Sequence, residues 1–295
     1  MNTEATLANY LHPDSEYLSP KFSLEPIHVI HTSDKNDKIL DLRELGLNVF
    51  YWQSARKAIR RIQDLRNTES KPSVRISTTT QSDYLSGCLA QTFPEGIQRV
   101  KNSQESWDVF AADFGYQNVH LSQESSIYDD AWSFSIDVAC TFLSKTEKYY
   151  VTSLPKVFGS SFGAMVLTRD DQFSHDTDLS AKDLEKLIHI GGTLVSEAKQ
   201  IGQARVSNLD ILFRALGDDF QKTLENYGTP FPGVGVFTYR REFEEVKFKA
   251  LLQGHGIRGT SFFGNNAVIL PIHQLLTDSD LSYIAEITKH CIEFC

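Results

Sequence analysis

Short runs of β-branched and apolar residues alternate with helical segments between residue 47 and about residue 170. The runs VRIST (74–78) and WDVFAAD (107–113) have strand character, and SDYLSGCLAQTF (82–93) between them has a helical pattern. An alternation of this kind is typical of α/β proteins, because neighbouring parallel strands need crossover connections. The sequence therefore predicts a large domain that is built on a mostly parallel sheet.

The C-terminal half has a different pattern. Residues 180–228 read as a long helical stretch, with Ser180 as its N-cap and a predicted break near Gly202 or Ser207. Strands and helices then follow in a compact α+β order, and the last helix starts at TDSD (277–280), which resembles a capping box with Asp in place of Glu.

This pattern predicts three parts. Residues 1–45 are irregular and polar and are interpreted as an N-terminal arm, residues 46–205 as a large domain, and residues 206–295 as a small domain.

The composition excludes several classes of protein. No apolar run approaches the roughly 20 residues that span a bilayer, and a net charge of −9 disfavours nucleic acid as a partner. The N-terminus lacks a basic region followed by an apolar one, so we expect a cytoplasmic protein. The four cysteines lack CxxC spacing, so we expect neither a metal site nor a disulfide framework.

Three polar features carry the chemistry of the first half. Ser54 opens a predicted helix, whose free amides and dipole favour an anion such as phosphate. Asp130 ends a strand, at the sheet edge where ligands bind in α/β folds. Lys156 lies at the tip of a predicted hairpin, three residues after Ser153, where burial would favour a neutral, nucleophilic amine.

A phosphate site, a carboxylate and an amine are the polar groups that pyridoxal phosphate requires. The amine forms a Schiff base with the cofactor, and the carboxylate keeps the pyridine nitrogen protonated. Simpler interpretations remain open at this point: Lys156 as a solvated turn residue, Asp130 as a helix cap or ion-pair partner, and Ser153 as a turn hydroxyl.

Four segments resemble the DegT/DnrJ/EryC1/StrS family of fold-type I aminotransferases. The segment FYWQSARKAI is similar to the family's Ser-Gly-Thr phosphate turn, IYDDAWSF to Glu-Asp-Ala-Ala-His/Gln, and SLPKVFGSSFGAMVLTRDD to the segment around the Schiff-base lysine. The fourth, AVILPIHQLLTDSDLSYIAEI, is similar to the family's closing stretch. The resemblance implies a PLP-transferase fold of type I, with a smaller C-terminal α+β domain.

The resemblance also implies roles for individual residues. Lys156 and Asp130 would be catalytic, and Tyr239, Arg240 and His273 would lie near the substrate. The remaining cofactor contacts would come from Ser54, Ala55, Arg56, Gln81, Ser133 and Ser153.

Three of these positions depart from the family's pattern. Ala55 replaces a glycine, Ser133 replaces His or Gln, and Gln81 falls near an aromatic ring that stacks on the pyridine. The chain is also several tens of residues shorter than usual members.

The implied function is a PLP-dependent aminotransferase for a keto-sugar, with glutamate as amino donor. A homodimer is implied too, because fold-type I enzymes build their sites at a dimer interface. Two alternatives stay open. The chain could be a degenerate member that binds or assembles without transaminase activity, which the departures favour, or it could catalyse another PLP reaction of the class V type.

Overall fold

The computed structural model of this chain describes residues 22–23, 42–66, 74–78, 97–99, 108–117, 125–144, 147–223, 229–262 and 266–295. These residues divide into two compact units. The seven-stranded unit comprises His28–Gln203 and Glu225–Gly233, and the four-stranded unit comprises Met1–Ile27, Ala204–Leu224 and Val234–Cys295. The predicted helix at 82–93 and the candidate Gln81 lie outside the described residues.

The first unit is built on a mixed sheet with the strand order β1-β8-β7-β6-β4-β2-β3. Strands β7, β6, β4, β2 and β3 form a parallel run, and β8 is antiparallel to both strands beside it, β1 and β7. The mostly parallel sheet that the sequence predicts is therefore confirmed. The strand bounds are β1 Asn48–Trp52, β2 Val74–Thr78, β3 Ile97–Arg99, β4 Val109–Ala111, β5 Tyr116–Gln117, β6 Ile127–Asp129, β7 Tyr149–Ser153 and β8 Ala164–Thr168, and β5 pairs separately with β10 Thr229–Pro230.

Helices cover both faces of this sheet, which explains why every residue of β7 and β8 is buried. The helices are α1 Ala55–Arg66, α2 Ile136–Phe142, α3 Leu154–Phe158 and the first part of α4 Ala181–Leu216, whose residues from Ala204 on belong to the other unit. Helix α1 packs Ile59 and Ile62 into the core on one face. Helix α4 packs Leu187 and Ile190 into the core on the other face.

Helix α4 runs without interruption from Ala181 to Leu216, so the predicted break near Gly202 or Ser207 is wrong. A Cβ atom at Gly202 would lie 2.8 Å from the ring of Phe231, so the glycine permits close packing. The predicted cap is confirmed, because the Ser180 hydroxyl accepts a hydrogen bond from the Asp183 amide at 3.1 Å.

The second unit has an antiparallel sheet with the order β12-β13-β11-β9. Its elements are β9 Phe220–Lys222, β11 Gly235–Tyr239, α5 Glu245–Gly254, β12 Thr260–Phe262, β13 Ala267–Leu270 and α6 Asp278–Glu293. Helix α6 begins with the predicted capping box, formed by Thr277 and Asp280. Among the described residues, no helix combines the length and the apolar character that a membrane crossing requires.

Candidate active site

The ends of β1 and β7 lie at one edge of the seven-stranded sheet. Trp52 of β1 and Ser153 of β7 both pair with Ala164 of β8, so the three residues form one row across the sheet. The Gly163 amide also donates to the Gln53 carbonyl at 3.0 Å. The segments that leave β1 and β7 therefore start from neighbouring positions.

Strand β6 ends at the same edge. Asp129 pairs with Val151 of β7, and the Asp130 amide donates to the Val151 carbonyl at 2.8 Å. The register thus brings together three groups that lie at the ends of β1, β6 and β7 or directly after them. These groups are the helix start at Ser54, the carboxylates at 129–130 and the segment that carries Lys156.

Ser54 is the N-cap of α1, as the sequence predicts. Its hydroxyl accepts a hydrogen bond from the Lys57 amide at 3.2 Å, and its carbonyl accepts one from the Ala58 amide at 3.1 Å. Ala55, half-buried, and Arg56, exposed, form the first turn. An anion would be favoured beside this turn by the helix dipole and the terminal amides.

A pair of carboxylates already engages Lys57, in the first turn of α1. Its amine lies 2.9 Å from Asp176 and 2.5 Å from Asp178, and the Gln53 amide donates to Asp176 at 3.2 Å. Burial opposes ionisation of Asp176, but hydrogen bonds from Lys57 and from two backbone amides outweigh it and lower the pKa of that carboxyl. Sequence reasoning missed this cluster, although the acidic segment DQFSHDTDLS was visible. Lys57 is therefore already paired, and backbone amides and hydroxyls would be the donors for an anion here.

Lys156 lies on the short helix α3 and is half-buried. The predicted hairpin is confirmed by the antiparallel pairing of β7 with β8, but its tip contains a helical turn that Gly159 ends in the left-handed conformation, with φ of 79°. The Lys156 amine lies 4.2 Å from the centroid of the Trp132 ring. Ser153 precedes α3 and is largely buried, and among the described residues its side chain makes no capping hydrogen bond.

Asp130 is completely buried. One carboxylate oxygen accepts a hydrogen bond from the Ser133 hydroxyl and the other accepts one from the Tyr150 hydroxyl. The Ser135 amide donates to the Tyr150 oxygen at 3.1 Å. Burial, followed by the charge of Asp130, raises the pKa of Tyr150 well above its ordinary value, so the phenol remains a donor. Tyr150 was not a candidate from the sequence, where it reads only as a strand residue.

Asp129 is buried beside Asp130 but has different surroundings. Its carboxylate accepts a hydrogen bond from the Ala131 amide at 3.2 Å. Burial raises the pKa of Asp129 to about 6, against the opposing effects of the Lys156 charge and the Ala131 amide. The edge thus holds two adjacent carboxyl groups, one bound by hydroxyls and one influenced by the candidate amine.

The three candidate substrate residues belong to the four-stranded unit. Tyr239 lies in the core of that unit, and exposed Arg240 donates its backbone amide to the Asp219 carbonyl at 3.0 Å. His273 is buried, and its Nδ1 accepts a hydrogen bond from the Leu275 amide at 3.3 Å. Their roles toward a substrate remain predictions.

No family model and no curated protein sequence matches this chain. Solved structures do match it. A Bacillus cereus protein assigned as a PLP-dependent aminotransferase matches with a TM-score of 0.63 and 10% identity, over 91% of this chain and 99% of that chain. Helicobacter pylori PseC, an aminotransferase involved in the biosynthesis of pseudoaminic acid, gives 0.58 and 14%, over 93% and 100%. A DegT DnrJ EryC1 StrS aminotransferase from Brucella abortus gives 0.59 and 11%, over 98% and 97%.

The structural matches, at TM-scores of 0.58 to 0.63, establish the fold. The chain has the fold of the PLP-dependent aminotransferases, and the predicted PLP-transferase fold of type I is confirmed.

Proposed function

We propose that this protein is a PLP-dependent aminotransferase that acts on a keto-sugar, such as a nucleotide-sugar, with glutamate as amino donor. The observation that supports the proposal is the meeting of an amine, two carboxyl groups and a helix start at one sheet edge. The fold shared with solved aminotransferases supports it as well, and PseC, which is involved in pseudoaminic acid biosynthesis, motivates the substrate class.

The donor set at this edge fits pyridoxal phosphate. Lys156 offers an amine, and the start of α1 with Ser54 offers an anion site. Asp130 offers a carboxylate whose position is fixed by hydrogen bonds from the Ser133 and Tyr150 hydroxyls. When bound, the cofactor would supply an electron sink that weakens a bond at the carbon next to the substrate nitrogen.

The chain's own residues would hold the cofactor and move the proton. Ser54, Ser153 and the amides of residues 55 and 56 would bind the phosphate. The Asp130 carboxylate would hold a proton on the pyridine nitrogen, and Tyr150 would keep that carboxylate in place. The Lys156 Nζ would take a proton from the substrate carbon that bears the amino nitrogen and deliver it to the carbon on the other side of that nitrogen, as a general base and acid.

A homodimer is part of the proposal. The described edge offers few polar groups for a large substrate, and a second copy would add some, since most soluble oligomers are closed and symmetric. A monomeric mass at micromolar concentration with retained cofactor binding would contradict this part.

The test of the function is an absorbance titration with pyridoxal phosphate. Bound cofactor should give a visible band at about 400–430 nm. Glutamate should remove this band and 2-oxoglutarate should restore it, because the amino group moves onto the cofactor and back. A Lys247→Ala variant, in which an exposed lysine on α5 of the four-stranded unit is removed, should behave like the wild type.

A second candidate is a binding or assembly protein that keeps the fold without transamination. The departures at Ala55, Gln81 and Ser133 favour it, because these positions contact the cofactor in the family that the chain resembles. Absence of the visible band after saturation with pyridoxal phosphate would contradict the aminotransferase and support this candidate.

A further inference from the structure

Trp132 lies close to both groups that would contact the ends of the cofactor ring. It comes two residues after Asp130, and its ring face lies 4.2 Å from the Lys156 amine. In the segment that IYDDAWSF resembles, this position is the second alanine of Glu-Asp-Ala-Ala. Any planar group bonded to the amine would therefore start above an indole face.

The packing around Trp132 fixes its position. A Cβ atom at Gly233 would lie 2.7 Å from the Trp132 Cβ and 2.8 Å from its carbonyl oxygen, so only glycine lets the chain approach so closely. The Gly233 amide donates to the Phe114 carbonyl at 2.6 Å. A Cβ atom at Gly115 would lie 2.3 Å from the Phe231 carbonyl oxygen, so a second glycine permits this approach. The segment 231–233 thus packs against Trp132, and the ring of Trp132 faces the Lys156 amine.

We infer that Trp132 is the aromatic platform on which the cofactor ring stacks. This inference rests on the proposed function. The position where the resemblance places a stacking ring holds Gln81, an amide, so the chain would obtain its aromatic contact from a different residue. Asp130 would keep the ring cationic, and an indole face attracts a cation more strongly than other aromatic side chains do.

The test uses 4′-deoxypyridoxine 5′-phosphate, which has the ring and the phosphate but no aldehyde. Its dissociation constant from the full-length apoprotein, measured by calorimetry, reports stacking without a covalent bond. We expect Trp132→Ala to raise this constant about 10-fold and Trp132→Phe to raise it less than about 3-fold, because phenylalanine keeps a ring. The control is Phe213→Ala, which removes a similar ring from Lys222 in the other unit and should leave the constant unchanged.

Trp132→Leu separates loss of the ring from loss of volume, and should weaken binding about as much as Trp132→Ala. If Trp132→Ala does not fold, as judged by its unfolding midpoint, Trp132→Leu decides alone. Unchanged or tighter binding by the leucine variant, with a wild type that binds, would overturn the platform and leave the proposed function standing. A wild type that binds neither pyridoxal phosphate nor the deoxy analogue would overturn both.

Discussion

The two units differ in how two of their buried polar side chains, Asp130 and Asn208, are hydrogen-bonded. In the seven-stranded unit, buried Asp130 is bonded to the hydroxyls of two other side chains, Ser133 and Tyr150. In the four-stranded unit, buried Asn208 donates its amide to the carbonyls of residues 272 and 273, at 3.2 and 2.9 Å. The Asn208 amide holds the loop at residues 272–273 in place. The two hydroxyls instead stabilise an acidic side chain in an apolar core.

This difference indicates where function lies. Burying a neutral amide costs little once its hydrogen bonds are made, but burying an acid opposes its ionisation. Two adjacent buried acids beside a lysine are hard to explain by stability alone, and such groups cluster at functional sites. The neutral amide of Asn208 needs no such explanation.

Substitution of Asp130 and of Asn208 should have very different consequences. Asp130→Asn should lower turnover by at least about 100-fold while changing cofactor affinity little, because the proposed phosphate site lies at α1. Asn208→Ala should instead lower the free energy of unfolding by about 1–3 kcal/mol and leave the turnover of the folded protein unchanged. Steady-state kinetics and denaturant unfolding measure the two effects. Unchanged turnover in Asp130→Asn would make that carboxylate structural.

A second prediction concerns Asp129 and pH. Its pKa is raised to about 6, so the folded state holds this proton more tightly than the unfolded chain does. Wild-type stability should therefore fall from about pH 4 to pH 6.5 through this group. Asp129→Asn removes this effect. The free energy of unfolding of the variant, relative to that of the wild type, should therefore increase by up to about 3 kcal/mol over that pH range. An advantage that stays constant with pH would contradict the assignment.

Two glycines provide the next comparison. Gly233→Ala should lower the free energy of unfolding by about 1–3 kcal/mol, because its Cβ would overlap Trp132. Gly254→Ala, at the end of α5, should stabilise slightly, by up to about 1 kcal/mol, since nothing lies within 4 Å of the added carbon. Urea unfolding measures both, and equal effects would mean that Trp132 is not held as described.

Two helix caps should respond alike in stability and differ only in cofactor binding. Ser54 and Ser180 each accept a hydrogen bond from an amide three residues later, at 3.2 and 3.1 Å. Substitution of either by alanine should cost about 1 kcal/mol of stability. Only Ser54→Ala should also weaken pyridoxal phosphate binding, in a titration followed by absorbance. Equal cofactor affinity in both variants would mean that the phosphate does not bind at α1.

Local features of the sequence predicted part of this structure. The bounds of β2 match the run VRIST, and the caps at Ser54, Ser180 and Thr277 were visible because capping depends on residues a few positions apart. The prediction of a break in α4 is wrong because Gly202 packs against Phe231, which is distant in sequence.

The residues of the candidate site could also be predicted only in part. Asp130 and Lys156 could be selected from their places after two strands, and the sheet register brings those strands together. Tyr150 and Trp132 could not be selected from the sequence, because their contacts with Asp130 and Lys156 depend on where each ring lies in the folded protein. Such contacts form only after the strands have paired.

We propose above that Lys156 is the residue that bonds the cofactor. The direct test is borohydride reduction of the protein saturated with pyridoxal phosphate, followed by mass mapping of its peptides. We predict a pyridoxyl group on the peptide that contains Lys156, and none on that peptide in Lys156→Ala. A pyridoxyl group on Lys148, whose amine lies 4.6 Å from the Phe142 ring centroid, or no pyridoxyl group at all, would contradict the claim.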